Sequence, residues 1–314
     1  MTNFGKIYRG PETDGPASAW AFGSTSTLDT ASGFDSQINT SGAAFKFTTL
    51  QLVGDPTIST ANGEINLGLI AVNGITSGSP GGPLTFSGIR GLLLATQNGS
   101  IDLGSEISSG LHDLTVYARG VGSDLTLSST ISGLTQTTLI AHGDLNIDGT
   151  TLGSQMLRVA AGTTINVGVN APVTITGNEA ILLIPNSGTG NIAGDATITL
   201  APAGNLALSG ANGLSLTVDN SDGGHIGQSA TILLSSPNLT AGSLNMFINN
   251  RNGGSIGSSA QVLCNLTGAL TTQGDVNIGS SNRNDGLGGG TMATDASSTS
   301  RRIAFPLAVF LTAS

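Results

Sequence analysis

Apolar residues along this chain come in short bursts, without long runs or helical stripes. Leu92-Leu93-Leu94 and Ile181-Leu182-Leu183-Ile184 are typical, and Gly, Asn, Asp or Ser stands within a few residues of each. Short bursts parted by turn-forming residues predict β-strands joined by turns. Triplets such as Leu125-Thr-Leu127 and Leu145-Asn-Ile147 alternate apolar and polar positions. Alternation places two apolar side chains on one strand face and the polar one on the other. Signals for helix starts and stops are almost absent, so the pattern predicts an all-β chain.

The bursts repeat. Asp219-Asn-Ser-Asp-Gly-Gly-His-Ile-Gly-Gln-Ser-Ala-Thr-Ile-Leu-Leu234 returns as Asn249-Asn-Arg-Asn-Gly-Gly-Ser-Ile-Gly-Ser-Ser-Ala-Gln-Val-Leu-Cys264, an offset of 30 from Gly223 to Gly253. A looser copy runs from Pro185 to Leu200, its Ile192 preceding Ile226 by 34. Three sets hold through all copies: Ile184/Val218/Ile248, Asn186/Asn220/Asn250 and Gly190/Gly224/Gly254. In the middle, Asp124-Leu-Thr-Leu127, Asp144-Leu-Asn-Ile147 and Thr164-Ile-Asn-Val167 follow one another at a constant offset of 20. Upstream, Asn98-Gly-Ser-Ile-Asp-Leu103 echoes Asn62-Gly-Glu-Ile-Asn-Leu67 at an offset of 36.

A unit of this length cannot bury its own apolar face. Coils stacked about 4.8 Å apart bury it against their neighbours and pair the backbone groups. The expected fold is therefore a right-handed parallel β-helix, a β-solenoid with coils of about 20–34 residues. Gly and Asn at its corners are expected to supply the positive φ of sharp turns. Residues 48–278 read as the coils. Residues 1–47 hold seven of the twelve aromatics, Trp20 among them, and read as an N-terminal cap or lead-in. Residues 279–314 read as a flexible Gly/Ser-rich linker and a short apolar tail.

Composition narrows the function. Only 9% of the 314 residues are charged and 4% aromatic, with 47 glycines and a net charge of −9. Between residues 47 and 250 the basic side chains are Arg90, Arg119 and Arg158. No basic stripe is available to neutralise phosphates, so nucleic acid is not an expected partner. No stretch approaches the roughly 18 apolar residues of a spanning helix, and no transmembrane segment is expected. The single cysteine, Cys264, excludes an internal disulfide framework and a cysteine zinc cluster. The opening residues lack the apolar core of a signal peptide, which suggests a piece of a longer chain.

The coils carrying Gly-Asp-Leu-Asn-Ile (143–147) and Asn-Gly-Ser-Ile-Asp-Leu (98–103) resemble filamentous-haemagglutinin-type repeats. The Gly-Gly-His-Ile-Gly and Gly-Gly-Ser-Ile-Gly units are similar to repeats in very large bacterial surface proteins of that kind. The resemblance covers roughly residues 50–280. It implies secretion or display at the bacterial cell surface, and adhesion to cell-surface or matrix macromolecules, with glycans one such class. No cofactor is expected.

The sharpest candidate for catalysis is the carboxylate pair Asp124 and Asp144. At the short period of the middle repeats they fall on adjacent coils, with carboxyls about 5 Å apart, suiting a retaining glycosidase or a calcium site. The competing reading is that Asp is a good corner residue before a strand, since Thr164 fills the same place on the next coil. The corner reading is preferred, because no Lys or Arg cluster accompanies the pair to stabilise a sugar-acid anion. His112, His142 and His225 sit in different turns and read as surface residues, with no metal or cofactor site. Cys264 aligns with Leu234 and reads as a small buried hydrophobe. The Gly-Gly-x-Ile-Gly units join strand to strand and are not nucleotide loops. The steps Thr174/Thr176 and Thr197/Thr199 raise a third idea, a flat ice-binding threonine face. The expected function is a non-catalytic repeat segment of an exported bacterial surface adhesin or structural stalk. The alternative is a carbohydrate-active β-helix enzyme, a polysaccharide lyase or hydrolase.

Overall fold

The computed structural model describes residues 20–22, 27–29, 43–54, 57–59, 65–81, 83–108, 111–282 and 291–292. Every regular element among them is a β-strand, and the strand pairings are parallel. Each strand pairs with one that lies a full coil away in sequence. The fold is a parallel β-helix. The chain divides into two compact units, residues 1–142 with 150–154, and residues 143–149 with 155–314.

In the first unit three columns of strands build the coils. The long one runs through Ala43–Gly54, Ile65–Gly81, Ile89–Thr96, Asp113–Ala118 and Ile131–Ala141. Leu69, Leu94, Val116 and Leu139 stack along it, all fully buried. In the second column Leu50, Ile75, Ile101 and Leu125 stack in the same way. The third carries Leu84, Ile107 and Ile131. The coil length varies from place to place, so Gly91 meets Asp113 across a shorter coil than the one that joins Ile75 to Ile101.

In the second unit the repeats fall where the sequence places them. Ile184, Val218 and Ile248 are one buried column, Leu182, Leu216 and Met246 the next. On another side of the coil, Ile165, Ile198, Ile232 and Val262 stack, beside Val167, Leu200, Leu234 and Cys264. Each fully buried Leu or Ile contributes about 1.5–3 kcal/mol relative to exposure, so the coils cohere through these columns. Burial pushes the Cys264 thiol up to about 11, as expected of a small buried hydrophobe rather than a reactive thiol.

The recurrent Asn and Gly of the repeat form one device. Asn186, Asn220 and Asn250 are buried, and each donates its Nδ2 to the Oδ1 of the next: 2.6 Å, 2.6 Å and, onward to Asn282, 3.0 Å. Nδ2 of Asn186 and of Asn220 also donates to the backbone oxygens of His225 and Ser255, both at 2.9 Å. These asparagines serve as a buried ladder, not as positive-φ corners. Positive φ falls on Gly223 (93°) and Gly253 (84°), the first glycine of each pair, and on Asp222 and Asn252. The second glycine is needed for space: a Cβ on Gly224 would lie 1.9 Å from the Asn186 carbonyl oxygen and 2.7 Å from Asn220 Oδ1.

The echo at an offset of 36 is not a stacking relation. Ile101–Leu103 pairs with Ile75–Ser77, whereas Ile65 pairs with Ile89. The two triplets therefore stand in different columns of the coil, Ile65 with Ile89 and Ile101 with Ile75. The lead-in expected over 1–47 and the linker and tail expected over 279–314 lie largely outside the described residues. Where these stretches are described they are strands: Trp20–Phe22 pairs with Leu50–Leu52, and Thr291–Met292 with Ser255–Ile256.

Candidate functional site

The carboxylates show what most polar side chains of this fold do. Asp148 accepts from Asn170 Nδ2 (2.9 Å) and from the backbone N–H of Asn170 (2.9 Å) and Ala171 (3.2 Å). Burial alone would raise its pKa, but these hydrogen bonds outweigh it and hold the carboxyl below its ordinary value. Glu179 accepts from the backbone N–H (3.3 Å) and Nδ2 (3.0 Å) of Asn212. Asp195 accepts from the N–H of Ser229 at 2.8 Å, Asp219 from Asn249 Nδ2 at 2.9 Å, and Asp222 from Asn252 Nδ2 at 2.9 Å. In every case the donor stands on the following coil. Each acid ties a corner to its neighbour.

Asp124 and Asp144 each stand immediately before a strand, each in its own unit. Asp124 is exposed before Leu125–Leu127; its N–H donates to Ser100 Oγ at 3.0 Å and its carbonyl accepts from Ile101 N at 2.9 Å. Asp144 is half-buried before Leu145–Ile147, and its Oδ1 accepts from Thr163 Oγ1. Thr164, expected one coil on from Asp144, is in that position: Leu145 pairs with Ile165. No group of three or more His, Cys, Asp and Glu stands within metal-holding reach among the described residues.

The threonine steps do not form one face. Thr176 pairs with Ala207, while Thr197 stacks between Thr164 and Thr231 and Thr199 between Asn166 and Leu233. The two steps therefore occupy different columns, and a flat double row of threonines does not arise from them.

The structure does bring together residues that the sequence reading kept apart. Tyr117, on Asp113–Ala118, has its hydroxyl 2.9 Å from Nε2 of His142, just beyond Ile131–Ala141. The two rings lie 5.6 Å apart at 50°. The Arg119 guanidinium carbon sits 4.9 Å from the centre of the Tyr117 ring, within cation–π range. Arg119 and His142 are exposed and Tyr117 is half-buried. The three meet because Ala118 pairs with Ala141, which sets the next residue of each strand, Arg119 and His142, side by side. The separation of Arg119 from His142 was the available clue, since it equals that of Asp113 from Gln136. Reading each histidine as an isolated turn residue hid it.

Family models, curated proteins and solved structures give no match to this chain. The site is therefore read from its own chemistry. His225 shows the contrast: its Nδ1 lies 2.7 Å from Ser255 Oγ on the next coil, another tie within a column. The Tyr117 group is the one place among the described residues where an aromatic ring, a guanidinium and an imidazole converge on an outward surface.

Proposed function

We propose that this chain is a non-catalytic repeat segment of an exported bacterial surface adhesin or structural stalk. The observation that carries the reading is the direction of the polar side chains. Acids and amides from Asp148 to Asp222 bond from one coil to the next. Side chains engaged in cohesion of the stack are not poised to meet a substrate. A retaining or inverting glycosidase would instead need two carboxyls facing a scissile bond, and Asp144 already holds Thr163.

The test is twofold. The purified chain, fluorescently labelled, is applied to bacterial and host cells, and saturable retention is expected. Incubation with a panel of acidic and neutral polysaccharides should yield neither new reducing ends nor unsaturated sugar products. Steady release of either product would replace this reading with the carbohydrate-active one.

A further inference from the structure

We infer that the outward face built by Ile89–Thr96, Asp113–Ala118 and Ile131–Ala141 binds a carboxylate-bearing polysaccharide, with Tyr117, Arg119 and His142 as its anchor. The inference rests on the surface-binding reading above and names the ligand class. Basic side chains are scarce here: residues 48–282 contain four arginines and three histidines. Four of those seven lie on or next to these three strands. Arg119 and His142 stand just beyond the C-terminal ends of their strands, and Arg90 and His112 lie where the chain enters the strands, His112 N donating to the Arg90 carbonyl at 2.8 Å. All four are exposed. The stretch from His112 to Arg119 spans about 23 Å of extended strand.

The lining between these ends suits a sugar chain. Thr115 and Thr138 pair across adjacent strands, and Gln136 Nε2 donates to Thr138 Oγ1 at 3.2 Å. These groups offer donors and acceptors for ring hydroxyls. Leu93 and Ile140, both half-buried, offer apolar contact to C–H faces. The carboxylate on the strands is Asp113, near the Arg90 end. Arg119 is held over the Tyr117 ring by a contact that does not occupy its N–H donors. A planar guanidinium so placed presents a fork matched to a carboxylate. The Tyr117 hydroxyl fixes His142 beside it.

Other polyanions fit less well. Two arginines and two histidines in a chain of net charge −9 do not make a phosphate track. An extended acidic peptide would seek an unpaired strand edge, and the middle strand here is paired on both sides.

The experiment is affinity electrophoresis of the full chain through gels containing polygalacturonate or, as the neutral control, dextran. Retardation is expected with polygalacturonate alone and is expected to fade with added salt. Arg119→Gln should weaken binding about tenfold. Arg119→Lys should fall between, since it keeps the charge but loses the fork. Arg251→Gln, on the repeat coils of the second unit, should bind as the parent does, and circular dichroism should show all variants folded. Equal retardation in dextran, none in polygalacturonate, or parent-like binding by Arg119→Gln would overturn the inference. Cleavage of polygalacturonate by a chain that binds it through Arg119 would leave this site standing and remove the non-catalytic reading. Cell adhesion unchanged by Arg119→Gln, together with no polygalacturonate binding, would remove the site and leave the adhesive reading.

Discussion

Asn220 is fully buried and fully engaged: it accepts from Asn186, and donates to Asn250 and to the Ser255 carbonyl. A buried amide ladder is stable only while each member has its partners, because an orphaned polar group in a low-dielectric interior bears its whole desolvation cost. Asn220→Ala leaves the Asn186 amide and the Asn250 and Ser255 oxygens short of a partner. Unfolding in denaturant should show a loss of about 2–4 kcal/mol. Asp148 acts at the surface and through pH. Its carboxyl is held below the ordinary value of 3.8 by the hydrogen bonds from Asn170 and its neighbours. A depressed folded-state pKa means the contribution is complete above the unfolded value and disappears as pH falls through the folded one. The unfolding midpoint of the parent should therefore drop more steeply below about pH 4 than that of Asp148→Asn, in a thermal melt series down to about pH 2.

At the scale of the element, a corner is set by which atoms approach, not by glycine content alone. Gly224 and Gly194 look alike in sequence, but the first has carbonyl oxygen where its Cβ would be and the second has open space. Gly224→Ala should lower the denaturant midpoint sharply, by about 2–4 kcal/mol in stability, while Gly194→Ala stays within about 0.5–1 kcal/mol of the parent. Strands differ too. Leu214–Asp219 lies between two partners and its apolar residues are buried, whereas Val276 on Val276–Ser281 is 42% exposed. Hydrogen exchange followed by mass spectrometry should find amides of Val276–Ser281 exchanging well before those of Leu214–Asp219.

The same scale shows how much the sequence disclosed. The columns through Ile184, Asn186 and Gly190 were legible because each recurs at an offset of 34 and then of 30, and a repeat in sequence is a stack in space. What the Asn does was not legible, since corner and ladder asparagines have the same neighbours in a one-dimensional reading. The echo of Ile65-Asn-Leu67 in Ile101-Asp-Leu103 is of another kind: the two triplets are alike in sequence yet stand in different columns. Tyr117 and His142 were missed because neither belongs to a repeat. Only the register of their strands, fixed by ordinary residues such as Val116 and Leu139, brings them together.

For the whole molecule the governing fact is that nearest neighbours in space lie a whole coil apart in sequence, as Leu145 and Ile165 do. Every pairing must close a loop of that size before it gains any burial, and chains dominated by such contacts fold slowly. Refolding from denaturant, followed by far-ultraviolet circular dichroism, should take seconds or longer, whereas a helical chain of similar length would finish within milliseconds. Unfolding should also depart from a single two-state curve, because each coil is held mainly by its immediate neighbours and the chain divides into two compact units.

The asparagine ladder has a consequence for how a gene of this kind changes. Because Asn186, Asn220 and Asn250 occupy equivalent rungs, removing residues 220–249 would bring Asn250 onto the rung that Asn220 had held, directly after Asn186. Adding a copy would lengthen the stack by one rung in the same manner. The register that holds the coils together thus permits the coil count to vary in whole steps, and reach can be tuned without redesigning any coil.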